Sequence, residues 1–287
     1  CANFYRFAAV DNLDVKIKPK AISLVVAGGV LAAIVGPILA GLLRSVSGFA
    51  DFSLCYAAFC VLGVLTLVLM AFWKPGVSVN VAPVQEEAKP FNASWNWPIL
   101  VAIFCSAGGY FMMNLLMVQA SLVMKDFCSF AATSQAIQVH VLAMFVPSFF
   151  TGSVIARIGL RQTLILGFLL LLGATVYGML AIRYDYIFIA LFLVGLGWNF
   201  AYVGGGALLA QSVNDETRHR WQGINDTVIA ACATLGAFLP APLLAAAGWR
   251  GTNMIVLPMC IIGIVMTWQM LATGGNNGKQ LSIKSAK

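Results

Sequence analysis

The chain has 287 residues, 61% of them hydrophobic and only 9% charged, whereas a soluble globular domain carries about 25% charged residues. A soluble fold is excluded, and a mean hydropathy of +0.90 points to a membrane protein. The net charge of +7 would suit nucleic acid, but the basic residues stand between apolar runs, so their placement reports membrane topology and excludes a nucleic-acid role.

Residues 1–10, ending Phe7-Ala8-Ala9-Val10, read as the last turns of a helix. Eight apolar runs of spanning length follow, at approximately 21–43, 54–73, 98–121, 136–157, 163–182, 187–210, 224–247 and 252–272. The expected fold class is therefore an all-α polytopic membrane protein. With the loop before Ala21 in the cytoplasm, thirteen of the 17 Lys and Arg fall on that side and four on the other. This positive-inside asymmetry puts both termini in the cytoplasm. Residues 74–96 carry Pro75, Pro83 and Pro90 with Glu86, Glu87 and Lys89, and are expected to be a cytoplasmic linker. Residues 274–287 are expected to be a mobile cytoplasmic tail.

Two stretches 200 residues apart are built alike. Lys18-Pro19-Lys20 aligns with Arg218-His219-Arg220, Gly36 with Gly236, Leu39 with Leu239, Leu43 with Leu243, and Gly48-Phe49 with Gly248-Trp249. Each copy reads as a basic loop, an apolar helix with a glycine hinge, then Gly-aromatic. Six apolar runs separate the two starts, so both copies enter the membrane from the same side, as a parallel repeat requires. A transporter of two six-helix halves is implied. In that frame about a hundred residues holding four helices would precede Cys1.

Polar side chains are costly in lipid, which makes the few present candidates for a site. In the third run Tyr110, Asn114 and Gln119 are expected near one face. In the sixth, Trp198, Asn199 and Tyr202 lie at mid-depth, where an amide can donate and accept and aromatic rings can stack on a planar solute. Tyr110, Asn114, Trp198, Asn199 and Tyr202 are thus the expected substrate contacts. His140 is the only histidine in an apolar run and, with Gln135 and Gln138 near it, is a proton-coupling candidate. Asp226, expected close to a helix N-terminus where the dipole favours a carboxylate, is a second candidate, with capping or pairing to Arg220 as the alternative. Gly204-Gly205-Gly206, with Gly195 and Gly197, would weaken the sixth helix, the triplet by about 3 kcal/mol relative to alanine. A bending point and close packing on the seventh run both fit. The seven cysteines show no zinc or redox spacing, and no metal or organic cofactor is expected. The absence of H-E-x-x-H, paired intramembrane aspartates and G-x-S-x-G argues against a polytopic membrane enzyme.

Two motifs carry a family resemblance. Gly36-Pro37-x-x-Ala40-Gly41 resembles the helix-five signature of the major facilitator superfamily, associated with its antiporters. Gly152-Ser153-Val154-Ile155-Ala156-Arg157-Ile158-Gly159-Leu160-Arg161 is similar to the family's loop signature between helices eight and nine, with Ala156 where the signature has an acid. The resemblance implies that residues 1–73 close the N-terminal half, 74–96 link the halves and 97–273 form the C-terminal half. It implies a monomeric secondary transporter in a bacterial cytoplasmic membrane, moving a small solute by alternating access with proton coupling, export favoured over uptake. Gly36, Pro37, Gly41, Gly152, Arg157, Gly159, Arg161 and Arg220 would serve packing and gating. A transport-inactive sensor or assembly partner is the alternative.

Overall fold

The structure is a computed structural model that describes residues 18–72 and 95–284. The expected helix end at 1–10 and nearly all of the expected linker lie outside these residues. Among the described residues every regular element is helical. The chain divides into two compact units, Cys1–Ser94 and Trp95–Lys287.

The first unit is a helical hairpin of α1 (Lys18–Leu43) and α2 (Ser53–Phe72). Pro37 lies inside α1 without ending it. Gly48 turns the connection with φ of +90°, a left-handed conformation that glycine adopts without a Cβ penalty. The Cys55 thiol donates to Ala40 O across the hairpin at 3.8 Å.

The second unit opens with α3 (Trp97–Ile103), whose first turn is capped by Asn96 Oδ1 accepting from Ile99 N at 3.0 Å. A π-helical turn, Phe104–Gly108, joins α3 to α4 (Gly109–Met124). Then come α5 (Phe130–Phe145), α6 (Ser148–Ile158), α7 (Leu160–Leu180), α8 (Tyr184–Ser212), α9 (Asp215–Phe238) and α10 (Pro240–Lys284). Five described helices are long and apolar enough to cross a membrane, six when α5 and α6 count as one bent span. This is fewer than the eight expected runs, because α9 carries Asp215, Glu216, Arg218, Arg220 and Asp226 in its first half and the described apolar part of α1 is short.

Helix α8 is the centre of this unit, packed against α7, α5, α3 and α4. Its glycines are points of close approach. A Cβ on Gly197 would stand 2.8 Å from Gly167 O of α7, and one on Gly195 2.5 Å from His140 O of α5. Gly204 faces Leu164 of α7, Gly205 faces Ala102 O and Ser106 N, and α8 runs unbroken through all of them. Gly204 and Gly205 therefore pack on α7, α3 and the π-helical turn rather than on α9, while Gly206 meets nothing within 4 Å.

Three expected boundaries are corrected. The run 136–157 is two helices, α5 and α6, bent by 47° at Val146-Pro147, because Pro147 has no N–H to continue the ladder. Helix α9 begins at Asp215, nine residues before the expected run at 224, since apolarity marks where lipid begins and not where a helix begins. Arg218 and Arg220 are thus in its opening turns, not in a loop. The helix assigned to α10 continues to Lys284 across a kink at Gly248, through most of the expected tail.

Candidate functional site

Most buried hydroxyls of the second unit are satisfied inside their own helix. Thr163, Thr175, Thr252 and Thr267 each donate to the carbonyl four residues back. The side chains that reach across helices are therefore the informative ones.

Tyr110 lies near the midpoint of the span Trp97–Met124, and Trp198 near the midpoint of α8. The structure brings Tyr110, Trp198 and Tyr202 into one aromatic group. Trp198 and Tyr202, one turn apart on α8, are stacked at 4.8 Å. Tyr110 meets both edge-on, at 5.3 Å and 5.8 Å. Phe145, the last residue of α5, stands against Trp198 at 6.2 Å. Trp198 and Tyr202 are buried and Tyr110 is half-buried, so the accessible side of the group is that of Tyr110.

The two asparagines expected beside these rings are turned elsewhere. Asn114 Nδ2 donates to Ala233 O of α9 at 2.9 Å. The helices touch at this level, where a Cβ on Gly236 would be 2.6 Å from Phe111 O. Asn199 is fully buried. Its Nδ2 donates to Met144 O at 2.7 Å and to Ser148 Oγ at 2.5 Å, while its Oδ1 accepts from Thr151 Oγ1 at 2.6 Å. Every polar group of that amide is spent on the α5–α6 bend. Phe145, Ser148 and Thr151 were not singled out from sequence as site residues.

Gln119 does not share a face with Tyr110. Nine residues at about 100° each place it on the opposite side of the helix. It is buried, with neither amide atom hydrogen-bonded, beside a cavity of about 10 Å³ lined also by Leu191, Val194, Trp249 and Asn253. That volume has room for one water and not for a solute.

His140 is fully buried, with Nδ1 2.7 Å from Leu191 O. A carbonyl only accepts, so Nδ1 carries a proton and the ring holds α5 to α8. Asp226 stands half-buried in the fourth turn of α9 and not near its N-terminus, so the dipole argument for it lapses. Arg220 is exposed. Gly159 forms the whole turn between α6 and α7 at φ of +90°. Arg157 is exposed in the last turn of α6, and the Arg161 guanidinium lies 4.4 Å above the Trp268 ring, a cation–π contact. Gly152 lies inside α6, and Gly36, Pro37 and Gly41 inside α1. Among the described residues no cluster of His, Cys, Asp and Glu could hold a metal.

The chain is similar to the riboflavin transporter RfnT of Brucella anthropi, 31% identical over 264 residues, which are 91% of this chain and 66% of the relative. It is 26% identical over 282 residues to the uncharacterised MFS-type transporter YdeG of Bacillus subtilis, and 24% identical over 289 residues to YddS of the same organism. Those matches cover 91% of this chain and 65% and 64% of the relatives. The chain thus spans slightly less than two thirds of the length of these relatives. The family model of the Major Facilitator Superfamily matches residues 99–284, the stretch that folds as the bundle around α8, and by that match this multi-pass membrane protein belongs to the Major Facilitator Superfamily.

Proposed function

We propose that the protein is a secondary transporter that carries a small planar solute by alternating access. The observation that carries this reading is the group of Tyr110, Trp198 and Tyr202 with Phe145, set at the midpoints of two long spans. A conjugated ring that stacks there gains about 0.5–1.5 kcal/mol per ring contact beyond the area it buries. Riboflavin, with its planar tricyclic ring, is the first solute to test, since one relative is a riboflavin transporter. Tyr110, Trp198 and Tyr202 are assigned as solute contacts, and Asn114 and Asn199 as the residues that fix their helices. His140 and Asp226 are the proton-coupling candidates, and the Gly36-to-Gly41 resemblance favours export. The basic residues orient both termini to the cytoplasm of a bacterial cell, and the transporter works as a monomer.

The test is flux of labelled riboflavin in proteoliposomes of the full-length protein under a pH gradient imposed in either direction. Flux above empty liposomes is expected, and Trp198→Ala should lower it about tenfold, the equivalent of about 1.4 kcal/mol. Wild-type flux equal to that of empty liposomes would remove riboflavin. The same result across a panel of planar solutes would bring the transport-inactive sensor to the front.

A further inference from the structure

The aromatic group and the bent span share residues. Phe145 ends α5 against the Trp198 ring, and Ser148 opens α6 in the grip of Asn199. Asn199 follows Trp198 directly, so one step along α8 separates a ring assigned to the solute from an amide that holds the bend. At that bend Pro147 leaves Ala143 O without its helical donor, and Asn199 supplies a donor to the next carbonyl, Met144 O. Thr151 adds a choice. Its single hydroxyl proton faces two acceptors, Pro147 O at 2.8 Å in its own helix and Asn199 Oδ1 at 2.6 Å on α8. Pro147 O already accepts from Phe150 N and Thr151 N at 2.8 Å, so the turn of α6 closes without the hydroxyl, and the one proton divides between a further bond within α6 and holding α8.

We infer that Asn199 and Thr151 form a latch that couples a solute stacked on Trp198 to the bend of the α5–α6 span, Asn199 being a positioning residue and not a solute contact. The inference rests on the transport reading above. Movement of the Trp198 ring displaces the adjacent amide. The released Thr151 proton returns to Pro147 O, and the α6 end of the span swings relative to α8.

The experiment compares Asn199→Ala, Thr151→Val, Thr151→Ser and the Asn199→Ala/Thr151→Val double variant in riboflavin flux by the full-length protein. The first two should leave KM within about twofold and lower the maximal rate about tenfold, which is the signature of a lost step and not of lost ground-state binding. Thr151→Ser, which keeps the hydroxyl, should restore the wild-type rate, and the double variant should be no worse than Asn199→Ala alone, as members of one unit are non-additive. A raised KM at unchanged maximal rate would overturn the inference and make Asn199 a solute contact. Loss of Thr151→Val from the membrane, with Thr151→Ser inserted normally, would overturn it too, leaving the hydroxyl a folding role. If wild type moves no riboflavin, the substrate assignment alone fails, and spin labels at Phe130→Cys and Ile158→Cys in a background without native cysteines decide the latch. A shifted distance distribution in Asn199→Ala and Thr151→Val but not in Thr151→Ser supports it. Distributions identical to wild type overturn it.

Discussion

The two Gly-aromatic ends of the internal repeat share a glycine at positive φ and differ in what surrounds it. Gly48 and Gly248 both hold positive φ, +90° and +65°, and neither has an atom within 4 Å of where a Cβ would stand. Phe49, after the first, is exposed. Trp249, after the second, is buried, its Nε1 donating to Gly178 O of α7 at 2.8 Å, and it lines the cavity beside Gln119. The glycine hinges diverge in the same way: within its own unit Gly36 meets nothing, while Gly236 lies against Phe111 O and Asn114. A repeat therefore preserves where the chain must turn, which is a property of one residue. What the turn is used for depends on which helices surround it.

Trp249→Ala should break this comparison most sharply. It empties a buried indole site and leaves Gly178 O without its donor, a loss of about 3–5 kcal/mol for a large core aromatic. Phe49→Ala, at an exposed position, should change stability by less than about 0.5 kcal/mol. Unfolding of the full-length protein in mixed detergent micelles, followed by helicity, measures both. Equal losses would show that Phe49 also anchors a helix. Gly236→Leu comes next, at about 1–3 kcal/mol for overpacking, because the obstacle is the Phe111 backbone and cannot rotate away. The companion variant Gly36→Leu should cost little. A comparable cost at Gly36 would mean that the first copy carries a close helix contact of its own.

Much of the fold was legible because lipid imposes a length rule, and most apolar runs coincide with one helix, although 136–157 crosses the α5–α6 bend and 224–247 crosses from α9 into α10. The bend at Val146-Pro147 was not, and the reason is physical. Pro37 and Pro258 also lie inside helices without ending them, so a proline alone does not announce a break. The donor that stabilises this one, Asn199, comes from 52 residues further along the chain. The start of α9 was misplaced because its first turns are charged while the expectation followed apolarity. In the candidate site the aromatic residues were legible, since Trp198 and Tyr202 at a four-residue spacing must share a face and the run holding Tyr110 packs beside them. The asparagines were read as solute contacts because sequence shows that an amide needs partners, and not that the partners are the carbonyls of Met144 and Ala233. Gln119 was misgrouped with Tyr110 because the five-residue step from Asn114 runs about 140° past a full turn and, added to about 40° from the four-residue step, reaches the opposite face.

The smallest effect tests the property that both copies retain. Gly48→Ala and Gly248→Ala add one methyl group into open space, so neither should suffer a clash and both should pay only for holding an L-residue at positive φ, about 1–2 kcal/mol each. Near-equal losses in the unfolding assay would show that the turn, and not its surroundings, is what the two copies have in common. At Gly248 the ψ of −174° lies where residues other than glycine are nearly absent, which places its loss at the upper end of that range. A loss at Gly248 several times that at Gly48 would mean that the kink is clamped by Trp249, because a strained turn can relax when its aromatic neighbour is free and cannot when that neighbour is bonded to Gly178. The double variant Gly248→Ala/Trp249→Phe separates the two cases. Phenylalanine keeps the ring but lacks the Nε1 donor, so a clamped kink relaxes and the alanine penalty at Gly248 falls towards that at Gly48.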